Sequence, residues 1–119
     1  EMIEDCPNLD VIVVPIGGGG LIAGMAVAAK AMKPDIEIIG AQATVFDAVK
    51  AQFDGTDTHF DGATLAEGIA VGAPGRLTQA IIGRLVDELL LVEEGDIEQA
   101  IVMLLEVEEN ICFLLLRLD

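Results

Sequence analysis

Apolar residues along this chain form short runs that alternate between strand-like and helix-like spacing. The strand-like runs are rich in Val, Ile and Leu and cover residues 10–16, 36–40 and 87–92. The helix-like segments cover about 20–33, 44–53 and 77–85, and a last one starts near Asp96. Because only a short turn at Lys33-Pro34 separates the first helix from the second strand, the start of the chain predicts a βαβ unit with parallel strands and a right-handed crossover.

This order of elements predicts an α/β fold: three layers, with a mainly parallel sheet and helices on both faces. Nearly continuous apolar strands are typical of a sheet that is covered on both sides. In the last helix, apolar residues recur at helical spacing and form one stripe, with Asp96 and Gln99 as a loose capping pair. The stripe consists of Ile97, Ala100, Ile101, Leu104 and Leu105. Residues 54–62 read as a loop, and the glycine-punctuated segment 64–72 has no clear assignment.

Composition narrows the function classes. The 119 residues are 53% hydrophobic but only 3% aromatic, which indicates an aliphatic core, and no apolar run approaches the roughly 18 residues that cross a bilayer. A net charge of −15 disfavours nucleic acids and anionic lipid as partners. The acidic start gives no sign of a signal peptide, and Cys6 and Cys112 have neither metal nor redox spacing, so a cytoplasmic protein with reduced thiols is expected.

Both ends of the chain suggest a part of something larger. Residues 1–4 read like the end of a helix that leads to Pro7, and the strongly apolar run 111–116 stops at once. The divergent apolar tail, residues 109–119, also motivates a self-associating fragment as an alternative, since an exposed apolar patch tends to find a partner.

Four consecutive glycines, Gly17 to Gly20, stand between the first strand and the first helix. Glycines let a backbone approach a ligand closely, and the unpaired N–H groups at a helix start favour an anion such as phosphate. Residues 18–23 fit the dinucleotide pattern G-x-G-x-x-A, but the acid expected at the end of the second strand is replaced by Gly40-Ala41-Gln42. A P-loop is excluded because no Gly-Lys-Ser or Gly-Lys-Thr follows the glycines.

Isolated polar residues add little chemistry. His59 is the only histidine, and in a polar loop it reads as a surface residue. Glu67 lies between Ala66 and Gly68 in an apolar stretch, so it is a candidate functional carboxylate or equally a residue that points at water. The sequence shows neither a pattern for a catalytic nucleophile with its base nor a group of metal-binding side chains.

Several motifs together resemble the threonine and serine dehydratases, a group of fold type II pyridoxal-phosphate enzymes. The run Val13-Val14-Pro15-Ile16 followed by the four glycines and Leu21-Ile22-Ala23-Gly24 is similar to their phosphate loop. Further similar segments follow in the family's order: Ile38-Ile39-Gly40-Ala41-Gln42, Thr64-Leu65-Ala66-Glu67-Gly68 and Leu85-Val86-Asp87. The resemblance covers about residues 8–108.

The resemblance implies a cofactor, a reaction and site residues. Such enzymes use pyridoxal 5′-phosphate to remove the Cα proton and the β-hydroxyl of L-threonine or L-serine, which gives a 2-oxo acid and ammonia. Gly17, Gly18, Gly19, Gly20 and Leu21 would donate backbone N–H groups to the cofactor phosphate. Glu67 and Gly68 would lie near the cofactor ring or the substrate. The implied partners are a small amino-acid substrate and further copies of the enzyme, with no nucleic acid and no membrane.

Departures from the family's pattern limit what this chain is expected to do alone. The family's cofactor-binding lysine lies in a Ser-Phe-Lys motif upstream of the glycines, which this sequence lacks, and Lys30, Lys33 and Lys50 are misplaced for that role. Cys112 comes too early to meet the pyridine nitrogen. Some racemase-like members bind a divalent ion through an acidic side chain at the position that Gln42 occupies here. Phe46 and Ala48 follow Gln42 in this chain, so no metal ion is expected. The chain by itself is therefore predicted to be inactive, with a purely phosphate-binding fragment and a serine racemase as alternatives.

Overall fold

The computed structural model describes residues 1–58 and 62–107, and they form a three-stranded sheet with flanking helices. In chain order the elements are α1 (Met2–Asp5), β1 (Val11–Pro15), α2 (Gly20–Met32), β2 (Glu37–Ala43), α3 (Ala48–Asp54), a short 3-10 turn (Glu67–Ile69), α4 (Arg76–Leu85), β3 (Glu88–Val92) and α5 (Glu94–Val107). His59, Cys112 and the apolar tail 109–119 lie outside the described residues.

The sheet is parallel throughout, in the order β1-β2-β3. Val14 pairs with Gly40, and Gly40 pairs with Leu89, so these three residues form one row across the sheet. The carboxyl ends of all strands meet at one edge, where open α/β sheets usually bind their ligands. The expected βαβ unit is confirmed by the β1–α2–β2 succession and its parallel pairing.

One face of the sheet carries the hydrophobic core. Ile12, Val14 and Ile38 are buried there, together with Ile22 from α2 and Ile82 from α4. The helices α2 and α4 pack against each other, and α3 packs against α4. Right-handed crossovers that step in one direction across a sheet put their helices on the same face, which accounts for this arrangement.

The second face is covered much less, so the expectation of helices on both faces holds only in part. Val13 is 63% exposed and Leu90 is 44% exposed on this side. At the carboxyl ends of the strands, Ile97 at the start of α5 and Ile69 of the 3-10 turn approach this face, where both share a cavity with Pro15 and Ala41. The parallel α/β architecture itself is as expected.

The last helix differs from its prediction in two ways. It begins at Glu94, so Asp96 lies within its first turn and cannot be the N-cap of a pair with Gln99. Ile97, the first residue of the apolar stripe, is half-buried at the strand ends, but the rest of the stripe within residues 94–106 is exposed: Ile101 is 37% exposed and Leu104 is 51% exposed. No helix in the described ranges is both long and apolar enough to cross a bilayer.

Smaller differences concern element boundaries. The strand β2 continues to Ala43, so Gln42 lies inside the strand and not after it. The helix α3 starts only at Ala48, because residues 44–47 form a turn. The unassigned segment 64–72 contains a single 3-10 turn.

Candidate functional site: the glycine loop at the strand ends

The glycine loop, residues 17–20, leaves the carboxyl end of β1 and turns directly into α2. Ile16 donates its backbone N–H to the Ala41 carbonyl (2.8 Å), which holds the loop entrance to β2. Gly19 is the N-cap of α2 with a φ of 87°, a left-handed conformation that an L side chain disfavours. Gly19 therefore serves a specific need at this position, where the chain turns from the loop into α2.

The N–H groups of this loop are available to a ligand. Within the described ranges no carbonyl or side-chain oxygen accepts a hydrogen bond from the N–H of Gly17, Gly18, Gly19, Gly20 or Leu21. The first N–H groups of a helix lack partners by geometry, and the dipole of the 13-residue α2 adds a partial positive charge at the same place. The loop thus has the donors and the field that an anion requires.

Residues 69–71 and α4 pack closely against the loop. A Cβ atom on Gly17 would lie 3.1 Å from the Ile69 Cα and 3.2 Å from the Val71 side chain, and one on Gly19 would lie 2.8 Å from the Ile82 side chain. A Cβ on Gly18 meets nothing nearer than 3.7 Å. Gly17 and Gly19 are therefore confined by the protein itself, whereas a Cβ on Gly18 would make only an ordinary van der Waals contact with Val71.

The structure brings the 3-10 turn next to this loop. Because Ile69 contacts Gly17, the segment with Glu67 and Gly68 lies beside the glycines, although some fifty residues separate them in sequence. Glu67 opens the turn, and its side chain is exposed to solvent and not enclosed by the apolar residues around it. Gly68 is also exposed, with open space around its Cα.

An apolar cavity of about 200 Å³ adjoins the same strand ends. Its walls come from β1, β2, β3, the 3-10 turn and α5, and are formed by Pro15, Ala41, Gln42, Ala43, Ala66, Ile69, Val92 and Ile97. Pro15 and Ile69 both flank Gly17, so this cavity and the loop are neighbours. Free N–H groups beside an apolar cavity suit a ligand that carries a phosphate on an apolar body.

The three lysines of the chain make contacts away from the glycine loop. Lys30 makes an ion pair with Asp87 (2.8 Å), near the end of α2 that is remote from the glycine loop. Lys33 donates to the Leu9 carbonyl (2.7 Å), and Lys50 pairs with Asp54 on its own helix. The Lys30 ammonium and then the Ile38 N–H (2.7 Å) stabilise the Asp87 carboxylate and lower its pKa.

Gln42, at the position of the racemase-type metal acid, caps a helix. Its side chain is fully buried, and its Oε1 accepts a hydrogen bond from the Lys50 N–H (2.9 Å) in the first turn of α3. An amide oxygen used in this way satisfies one of the N–H groups that every helix start leaves open. In the described part of the chain no three His, Cys, Asp or Glu residues cluster as a metal site.

Comparison with known proteins identifies the family. Residues 1–112 match the family model described as pyridoxal-phosphate dependent enzyme. The chain belongs to this family. Over 108 residues it is 44% identical to the L-threonine ammonia-lyase of Thermotoga maritima and 43% identical to the catabolic L-threonine dehydratase TdcB of Escherichia coli. Each alignment covers 89% of this chain but only 27% and 33% of those relatives, so the chain spans about a third of their length.

Solved structures support the same assignment. Maize serine racemase superimposes with a TM-score of 0.82 at 35% identity, over 91% of this chain and 34% of the racemase. Processed threonine deaminase isoform 2 from Solanum lycopersicum gives 0.69 at 30% identity, over 77% of this chain and 26% of the deaminase. Both are proteins of the fold expected from the sequence, and pyridoxal phosphate is the cofactor of this family.

Two residues that sequence reasoning missed, Thr78 and Gly40, support the glycine loop and the packing below it. Thr78 in α4 donates its hydroxyl to the Gly18 carbonyl (3.0 Å) across 60 positions of sequence. Gly40 in the middle of β2 leaves room for the side chains of Ile16, Ile22 and Leu89, which a Cβ atom there would meet. No local pattern could have marked Thr78, whereas a glycine inside an apolar strand is a known sign of close approach.

Proposed function

We propose that the parent enzyme of this chain deaminates L-threonine or L-serine to a 2-oxo acid and ammonia, and that this chain contributes the cradle for the cofactor phosphate. The observation that carries the proposal is the glycine loop with its free N–H groups, in a chain 44% identical to an L-threonine ammonia-lyase. When bound, pyridoxal phosphate supplies the electron sink for loss of the Cα proton.

The loop residues have a binding role in this proposal. The N–H groups of Gly17, Gly18, Gly19, Gly20 and Leu21 hold the phosphate, and no lysine or arginine is needed beside them. Such local donors are required because the chain as a whole carries a charge of −15, which repels anions. Gly68 and Glu67, beside Gly17, line the approach to the ring and the substrate.

Gly18→Ala tests the phosphate cradle. The added methyl group would meet only the Val71 side chain, at 3.7 Å, so the fold should persist while the backbone that is proposed to contact the phosphate carries an extra group. We expect binding of pyridoxal phosphate, measured by ³¹P NMR titration, to weaken at least about ten-fold, or about 1.4 kcal/mol. Gly24→Ala, a glycine of α2 with open space around it, is the matched control and should bind like the wild type. Equal binding by both variants would contradict the cradle.

The chain by itself is proposed to be inactive, because Lys30, Lys33 and Lys50 are all engaged away from the loop. Incubated with pyridoxal phosphate and L-threonine, it should form 2-oxobutyrate no faster than free cofactor does. Steady production above that rate would disprove this part of the proposal.

Serine racemase is the second candidate, favoured by the TM-score of 0.82 to the maize racemase. Gln42 argues for the dehydratase, since its amide caps α3 and carries no charge for a divalent ion. In the parent enzyme with L-serine, D-serine formation that exceeds pyruvate formation and depends on Mg²⁺ would reverse this preference.

A further inference from the structure

The helix α4 contacts the glycine loop through two side chains one turn apart. The Thr78 hydroxyl lies 3.0 Å from the Gly18 carbonyl oxygen, and the fully buried Ile82 packs under Gly19. These contacts lie on either side of the peptide that joins Gly18 to Gly19. They therefore bear directly on how that peptide is oriented.

A trans peptide is planar, and its C=O and N–H point in opposite directions. If the Gly18 carbonyl is turned toward α4 to accept from Thr78, the Gly19 N–H must point away from α4. This N–H has no acceptor among the described residues. The contact with Thr78 on the α4 side thus leaves the Gly19 N–H on the side of the peptide that faces away from α4.

The Thr78 hydroxyl has a second acceptor within reach, the Gly75 carbonyl at 2.8 Å. One hydroxyl carries one proton, so the two carbonyls share it. The bond to Gly75 is local to the start of α4, whereas the bond to Gly18 joins α4 to the loop. Replacing this threonine by a residue without a hydroxyl would remove the bond to the loop without removing any apolar core residue.

We propose that Thr78 is a positioning residue for the phosphate cradle, which it serves by holding the Gly18–Gly19 peptide with the Gly19 N–H directed at the ligand. The inference rests on the proposed role of the loop. It adds a residue that touches neither phosphate nor substrate and acts only through the Gly18 carbonyl.

Thr78→Val tests this inference because it removes the hydroxyl and keeps the shape of the side chain. In the ligand-free chain, the Gly19 amide signal in a ¹⁵N correlation spectrum should shift and its hydrogen exchange should change. Affinity for pyridoxal phosphate should fall about five- to ten-fold, which corresponds to the loss of one hydrogen bond from the Gly19 N–H to the phosphate. The weaker binding of pyridoxal, which lacks the phosphate, should stay the same. Thr78→Ser keeps the hydroxyl and should behave like the wild type.

Thr56→Val is the matched control, since its hydroxyl also bonds a carbonyl, that of Ala51 (3.4 Å), at the far end of α3. An unchanged Gly19 amide in Thr78→Val overturns the inference whatever the ligand does. If the wild type binds pyridoxal phosphate no better than pyridoxal, the cradle fails, and the amide signal still decides the role of Thr78. Should Thr78→Val not fold, Thr78→Ala replaces it, because that change adds no atom.

Discussion

The two faces of the sheet are formed by the same apolar strands, but one face is buried under helices and the other is largely exposed to solvent. On the packed face, Ile38 is fully buried and Val14 is 1% exposed beneath α2 and α4. On the open face, Val13 is 63% exposed although it is the chain neighbour of Val14. Alternation along a strand sends successive side chains to opposite faces, so the strand composition does not decide burial. The positions of the helices decide it.

This difference also explains where the candidate site lies. The helices on the packed face bring Thr78 and Ile82 against the glycine loop, and the loop then leaves its N–H groups unpaired. The open face contributes only the apolar cavity at the strand ends. One face therefore holds the loop in shape, and the other offers space beside it.

The largest effect should come from a cavity in the packed face. Ile38→Ala removes a fully buried side chain from the core, and we expect the free energy of unfolding to fall by about 2–4 kcal/mol. Urea unfolding followed by circular dichroism measures this loss. A loss below about 1 kcal/mol would mean that the packed face is not the core.

A slightly smaller loss should follow from overfilling the same face. Gly40→Ala puts a methyl group among Ile16, Ile22 and Leu89, and forcing these side chains aside should cost about 1–3 kcal/mol. The same unfolding assay applies. Gly24→Ala, on α2 with open space, is expected to be neutral or stabilising by up to about 1 kcal/mol, because alanine favours a helix.

The ion pair between α2 and the start of β3 should have a modest, pH-dependent effect. The pKa of Asp87 is lowered in the folded state by Lys30 and the Ile38 N–H, so folding favours its carboxylate. This stability is fully present above the ordinary aspartate pKa of about 4 and is lost as the pH falls through the lower folded value.

Asp87→Asn should therefore lose about 1 kcal/mol or less at pH 7, and its difference from the wild type should shrink below about pH 4. Urea midpoints between pH 2.5 and pH 7 measure this difference. Asp35→Asn is the control, since Asp35 has no hydrogen bond or ion pair within the described ranges. A difference that grows toward low pH would contradict the assigned role of Asp87.

The smallest effect is expected on the open face. Val13→Thr keeps a β-branched side chain at a position that is 63% exposed, so the free energy of unfolding should change by no more than about 0.5 kcal/mol. A loss near that of Ile38→Ala would show that this face is covered in solution, for example by a second copy of the chain. Sedimentation at several concentrations would then test whether the chain associates with itself.

Much of this architecture follows from local patterns. The three strands, α2 and α4 are within a few residues of their predicted bounds, because each has the apolar spacing of its type and several of them also have a Gly or Pro at a boundary. The glycine loop could be located for the same reason. The stripe of α5 was equally clear as a pattern, yet Leu104 is exposed, because a pattern cannot provide the surface that would bury it.

By itself, the sequence determined the parallel βαβ unit, the position of the glycine loop at the end of β1 and the family. These depend on neighbouring residues and on motifs in a fixed order. Only the tertiary structure decided that one sheet face is packed, that Gln42 caps α3 and that Thr78 holds the Gly18 carbonyl. For Thr78 the physical reason is distance along the chain, since a contact across 60 residues depends on how whole elements pack. Gln42 and Lys50 are only eight residues apart, but their contact depends on how the end of β2 is placed against the start of α3, and no local pattern encodes that.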